Sequence, residues 1–299
     1  MQKNRMWVVR QKEDWFTCPE NPGHTLYFRK DRQVMITRLQ EEHRQQVMQY
    51  LSSEPTFTLL IAADIQNYGF ESDVFEIWAH SGNCQDIIRS VFCRFYNTLL
   101  VYSLKNDIDA GNIYRFLSDN GVEYNIVLGK EELVKQFSPF IAFKEKHETL
   151  FAELSKDRFH PAKPAVTTQV FQAREEDALE IHELRESIPE FNNMMLPLEQ
   201  LIDLIRTKKG RVYFIKENNK IVSSASTGAE TEMAAHVNAV CTKEGYRGRG
   251  YASQIITRLS GDLLAEGKIC CLGYENPVAG RIYNRIGYKE LGKLVIAVK

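Results

Sequence analysis

The chain has 299 residues, 43% hydrophobic and 26% charged, with a formal net charge of −1. That length suits two domains with a core each, and the composition is that of an ordinary globular chain. A charge balance so near zero gives no electrostatic footprint for nucleic acid. No apolar run approaches the roughly 20 residues of a membrane helix, and the start lacks the apolar core of a signal peptide, so no membrane partner and a cytoplasmic location are expected. The six cysteines form no C-x-x-C pair and most stand in apolar runs, as reduced core thiols do. Cys18 and His24 pair two possible ligands, but no second pair follows to complete a tetrahedral site, so no metal is expected.

Taken in order, residues 1–34 fit no element and read as an N-terminal extension of unassigned role. Periodicity then predicts helices over 39–52 and 56–67, strands over 74–79, 87–95 and 98–104, a helix over 108–120, a strand over 124–128 and a helix over 130–137. A polar, twice proline-interrupted segment over 156–165 reads as a linker, which bounds a first α/β domain at 35–155 and a second at 166–299. In the second, a strand over 166–173 precedes helices over 175–187 and 198–208, the latter with Leu201, Ile202 and Ile205 on one stripe. Strands over 211–216 and 220–225 flank Asn218 and Asn219, which tolerate the positive φ of a tight hairpin. A strand over 232–242 follows.

The next helix places Ala252, Ile255, Ile256, Leu259, Leu263 and Leu264 on one face and ends at Gly267. After a strand over 268–274, Asn276 as cap and Pro277 at the first helical position open a helix with Ala279, Ile282, Tyr283 and Ile286 on one face, and Gly287 stops it. A strand over 294–298 is expected to close the second sheet. The first half repeats this rhythm, but where the second half has its glycines the first reads Ser103-Leu104-Lys105-Asn106-Asp107-Ile108-Asp109, which offers an anion no seat.

The most informative run is Val240-Cys241-Thr242-Lys243-Glu244-Gly245-Tyr246-Arg247-Gly248-Arg249-Gly250-Tyr251-Ala252-Ser253. An apolar strand enters a cationic, glycine-punctuated turn that opens a helix. The first N–H groups of a helix have no intrahelical acceptor, and Gly248 and Gly250 let an anion approach them closely. It is no P-loop, because Tyr251 stands where the Lys of Gly-Lys-Ser/Thr is required. Nor is it a dinucleotide fingerprint, because Ser253 replaces the third glycine and Glu275 lies too far on for the ribose acid.

The turn fits Arg/Gln-x-x-Gly-x-Gly/Ala as Arg247 to Ala252. With Asn276-Pro277-Val278-Ala279 and Ile282-Tyr283-Asn284-Arg285-Ile286-Gly287-Tyr288 in the right order downstream, residues 166–298 resemble the GNAT N-acetyltransferase superfamily. The resemblance implies a mixed, mostly antiparallel twisted sheet flanked by helices, and makes the first half a degenerate GNAT-like domain. It implies acetyl-CoA as cosubstrate, with its pyrophosphate on Arg247, Gly248, Arg249, Gly250, Tyr251, Ala252 and Ser253. The pantetheine arm would lie along Val240, Cys241 and Thr242, in a slot where two strands splay, and Asn276 beside the thiol end, besides capping its helix.

By the same resemblance Tyr283 is the acid that returns a proton to the departing thiolate; a phenol with its ordinary pKa near 10 is protonated at neutral pH. An amine must lose a proton before it attacks, so a base is needed. Strand alternation puts Glu232, Ala234, His236, Asn238, Val240 and Thr242 on one face, which makes His236 and Glu232 the candidates, with Glu230 farther back, unless a bulge reverses the facing. By that parity Cys241 faces away, and with the family's direct transfer this disfavours an acyl-cysteine; Cys270 and Cys271 read as core. The reading is an N-acetyltransferase that passes an acetyl group to a primary amine of a small molecule or peptide in a ternary complex. The alternatives are a non-catalytic CoA-sensing module and a transferase using another acyl-CoA or an aminoacyl donor. Acceptor choice would come from the helices over 175–208 and the loop bearing Glu190, Phe191, Asn192 and Asn193.

Overall fold

The computed structural model describes residues 26–28, 35–81, 88–163, 168–191 and 195–299. The candidate ligands Cys18 and His24, and Asn192 and Asn193, lie outside the described residues. The chain divides into two compact units, Met1–Glu148 with Lys293–Lys299, and Thr149–Gly292.

The first unit runs β1 (Leu26–Phe28), β2 (Met35–Arg38), α1 (Arg44–Leu51), α2 (Pro55–Tyr68), β3 (Phe75–Ser81), β4 (Ile88–Phe95), β5 (Thr98–Tyr102), α3 (Ala110–Asp119), β6 (Ile126–Lys130) and α4 (Glu131–Lys135). Pro55 begins α2 where a missing N–H costs nothing, and Gly69 ends it at φ 68°. Strands β1 to β5 pair antiparallel in sequence order, and β5 lies parallel to β6. One face carries α1 and α2 over Val47, Leu51, Ile61, Ile65 and Phe75. The other carries α3 and α4 over Trp78, Phe92, Ile113, Phe116 and Leu133.

The second unit repeats that order. The end of β7 (Glu145–Leu154) leads to β8 (Phe171–Gln172), α5 (Ala178–Glu186), α6 (Leu198–Thr207), β9 (Val212–Glu217), β10 (Lys220–Glu230), β11 (Ala234–Thr242), α7 (Tyr251–Ala265), β12 (Ile269–Tyr274), α8 (Pro277–Ile286) and β13 (Lys289–Val298). Asn218 and Asn219 take φ of 49° and 63° and turn β9 into β10, as their tolerance of left-handed backbone predicts. Strands β8 to β11 are antiparallel neighbours and β11 is parallel to β12. The apolar stripe of α7, with Ile255, Ile256, Leu259 and Leu263, packs on one face, and α5 and α6 cover the other through Ile181, Leu184 and Leu201. Gly267 stands at φ 84° after α7, and Lys268 N–H reaches back to Leu263 O, so the predicted glycine stop is made.

The sequence led us to expect the strand over 294–298 to close the second sheet, and it does not. Residues 294–298 pair antiparallel with β6 of the first unit, from Leu294 opposite Lys130 to Val298 opposite Ile126. The free edge of β12 is taken instead by the end of β7, with Leu154 opposite Cys270 and Leu150 opposite Tyr274. Each sheet is therefore completed by a strand from the other half of the sequence. Alternation fixes which face of a strand is buried but carries no information on its neighbour, so Leu294 to Val298 read alike in either sheet.

The segment read as a linker is bound along most of its length within the second unit. His160 N–H donates to Ile286 O at 2.8 Å and Ala162 N–H to Thr257 Oγ1 at 3.2 Å, while Phe159 packs on the α7 core. Gly287 follows α8 at φ 109°, and a Cβ there would stand 1.8 Å from Arg158 O, so both backbone and space demand glycine.

Candidate functional site

The site is built where β11 and β12 part company. They pair in parallel only from Ala234 opposite Ile269 to Val237 opposite Leu272. Beyond Val237, β11 keeps its bonds to β10 while β12 keeps its bonds to β7. The backbone of residues 238–242 thus has a free edge facing the gap, the slot expected from the resemblance.

A bulge in β11 changes which side chains face which way. Ser224 lies opposite Cys241 and Ser226 opposite Asn238, so two steps on β10 match three on β11. The extra residue is accommodated at Ala239, whose φ is 49°. Ser226 Oγ donates to Asn238 Oδ1 at 2.8 Å, and Ser224 Oγ lies 3.4 Å from Cys241 Sγ. Cys241 therefore faces the α5 side with Asn238, contrary to simple parity, and Val240 packs on the α7 side. Burial raises the Cys241 pKa and keeps the group a thiol, which leaves it a poor nucleophile.

After β11, Arg247 N–H donates to Glu244 O, and the next backbone bond of this stretch is Gln254 N–H to Gly250 O. Among the described residues, the N–H groups of 248–253 between them have no acceptor. Gly248 and Gly250 both take φ of 80°, a conformation that costs any other L-residue roughly 1–2 kcal/mol, and nothing stands within 4 Å of a Cβ at either. Free amides, a helix start and open space in front of it are what a diphosphate requires, so the residues present fit the phosphate end of a CoA thioester. The arginines beside this arc have carboxylate partners of their own. Arg247 lies 3.3 Å from Glu190, and its Nε donates to Thr242 O. Arg249 meets Glu217 at 2.9 Å, and the Tyr251 hydroxyl donates to the same carboxylate.

Asn276 caps α8 as predicted, its Oδ1 accepting from Val278 N–H at 2.8 Å. About two turns on, Tyr283 is 5% exposed between the rings of Tyr274 and Tyr288, with centroids 5.4 and 5.8 Å away. Burial pushes its phenol up to about 12, so it stays protonated across the neutral range. His236 stands beside Phe151, ring centroids 6.0 Å apart. Burial drives its imidazole down to about 4, so it is neutral and weakly basic. Glu232 is exposed in the turn before β11, which begins only at Ala234, so strand alternation does not aim it at the slot. Glu230 is held by Arg211 and Lys268. Cys270 and Cys271 are buried core thiols, and no cluster of metal-ligating side chains occurs among the described residues.

In the first unit the corresponding place is closed. Asp109 Oδ1 accepts from Asn112 N–H at 3.0 Å, so the start of α3 carries its own anion. Beside it Lys130, 6% exposed, is bound to Glu54 and to Asn106 Oδ1, and the Tyr102 hydroxyl donates to Glu54.

Sequence reasoning passed over Arg185. It lies on the buried stripe of α5 with Ile181, Leu184 and Ile188, and is 4% exposed. An arginine in the middle of an apolar stripe was the available signal.

The two parallel central strands splay, and a helix opened by glycines stands at the mouth of the splay. The comparisons go further. Residues 208–290 match the family model described as an acetyltransferase (GNAT) domain, which supports an acyltransferase. Three solved structures show the fold over nearly the whole chain. They are a Drosophila protein (14% identity, TM-score 0.63, 88% of this chain and 98% of that one), a GCN5-related N-acetyltransferase from Sphaerobacter thermophilus (12%, 0.60, 89% and 95%) and a GNAT-family acetyltransferase from Colwellia psychrerythraea (14%, 0.55, 88% and 99%). No curated protein matches the sequence. No helix among the described residues is long and apolar enough to cross a membrane.

Proposed function

We propose that the second unit binds acetyl-CoA and transfers the acetyl group directly to a primary amine. The observation that carries this reading is the arc of unpaired amides at 248–253 set at the mouth of the β11–β12 splay. In it, the backbone of Arg247, Gly248, Arg249, Gly250, Tyr251, Ala252 and Ser253 holds the diphosphate, and the free edge of Val240, Cys241 and Thr242 takes the amide groups of the pantetheine arm. Asn276 stands at the thiol end. When bound, the thioester supplies an activated acyl group; everything else is done by side chains of this chain.

Tyr283 keeps its proton until the thiolate forms, then donates it, and is restored by the proton that the acylated nitrogen sheds. The attacking nitrogen needs a free lone pair, and an imidazole with pKa about 4 is too weak a base to strip an ammonium group. In this reading His236 instead accepts a hydrogen bond from an amine that arrives neutral, which orients its lone pair. The first unit, whose helix start carries Asp109, binds no CoA and derives from the same architecture. Release of free thiol from acetyl-CoA in the presence of an amine panel, with the acetylated product weighed by mass spectrometry, tests the reading. Thiol release with a product heavier by one acetyl group supports it. Release with no acetylated amine refutes it.

A further inference from the structure

The α5 side of the site holds a charge that no carboxylate among the described residues answers. Arg185 is 4% exposed, and Nη2 donates to Ser226 Oγ at 3.1 Å. Its Nε is buried without a partner. Among the described residues Arg185 makes no ion pair, whereas the half-buried Arg211 of the same unit is clamped by Glu230 and Glu266. A guanidinium withdrawn from water with most of its donors idle is a costly arrangement unless a counter-charge arrives from outside.

Its position says where that counter-charge belongs. Ser226, which accepts from Arg185, donates in turn to Asn238 at 2.8 Å. Asn238 is the first residue of β11 past the stretch paired with β12, and the bulge at Ala239 keeps Cys241 on the same side. Arg185, Ser226, Asn238 and the thiol of Cys241 therefore form a donor-rich patch without a carboxylate, two hydrogen bonds from the open edge of the slot. His236 stands two residues before Asn238, on the same face of β11.

We infer that Arg185 receives the carboxylate of the acceptor, so that the substrate is an amino carboxylate, an amine and an acid on one small molecule. This rests on the transferase reading above. The guanidinium offers parallel N–H donors that match the two oxygens of a carboxylate, and such a pair fixes the direction in which the amine points. The amine end then lies toward His236 and the slot.

Free amino acids and their carboxamides, which differ only in that charge, test this on the full chain. In the presence of CoA, amino acids that fit raise the melting temperature and release thiol from acetyl-CoA, and their carboxamides do neither. Arg185→Met lowers kcat/KM for the carboxylates by roughly 100-fold, erases the preference over carboxamides and leaves acetyl-CoA binding intact. Arg185→Lys restores part of the preference. Equal turnover of acids and amides by the wild type, or a preference that survives Arg185→Met, overturns the inference. So does a panel in which no carboxylate shifts the melting of CoA-loaded protein. Failure of the wild type to bind acetyl-CoA is read separately, in the same titrations, and strikes the transferase reading instead.

Discussion

Replacing His236 with glutamine removes a group that titrates in the unfolded chain but hardly at all in the folded one. Unfolded, its imidazole protonates near its ordinary 6.5; folded, burial holds it at about 4. A depressed imidazole favours the native state above pH 6.5, where both forms are neutral. Its contribution is lost as the pH falls toward 4, because the unfolded chain takes up the proton first. The whole shift corresponds to about 3 kcal/mol, and the part between about pH 5 and 6.5 to about 2 kcal/mol. Glu266, held at about 2 by its hydrogen bonds from Arg211, loses its contribution only below its ordinary 4.5, so it does not overlap that window. His80, lowered by burial, acts with the same sign but is present in both proteins. Urea unfolding of wild type and His236→Gln at about pH 5 and about pH 6.5 reads the difference. The wild type should lose about 2 kcal/mol more than the variant on acidification. Parallel losses would show that the imidazole is solvated and free to act as an ordinary base.

The same environment predicts a kcat/KM that climbs toward the pKa of the acceptor amine, with no inflection near 6.5 from His236; a wild-type limb there, absent in His236→Gln, would contradict it. Tyr283→Phe should leave acetyl-CoA affinity within a few-fold and lower kcat by about 100-fold or more, read by calorimetry and thiol release on one preparation. Deleting residues 293–299 strips Val295 and Ala297 from the core of the first unit and the partner from β6, at a cost of about 3 kcal/mol or more. Hydrogen exchange should show β6 losing protection, and unchanged protection there would refute the strand assignment.

How far the sequence could be read depends on what kind of information each feature needs. Periodicity and caps placed α7, α8 and the β9–β10 hairpin because stripe, Asn276, Gly267 and the paired asparagines are local signals. The glycine-opened turn was legible for the same reason. The bulge at Ala239 was not, since alanine carries no preference for φ of 49°, and one extra residue reversed the facing of Cys241 and Val240 relative to His236. The strand over 145–154 was missed because its first half, Glu145-Lys146-His147-Glu148-Thr149, is polar and hides the alternation of Leu150, Ala152 and Leu154. Its pairing with β12, and that of residues 294–298 with β6, are long-range choices that no local pattern records. The weakness of His236 as a base came only with its surroundings.

Calorimetric titration of the full chain with acetyl-CoA and with acetyl-pantetheine, which lacks the diphosphate, measures the central claim most directly. One acetyl-CoA should bind per chain, acetyl-pantetheine should bind far more weakly, and Gly250→Trp should abolish the acetyl-CoA heat while leaving the melting of the first unit in place. Equal affinity for the two thioesters, or full acetyl-CoA binding by Gly250→Trp, would contradict the claim that the free amides of 248–253 seat the diphosphate.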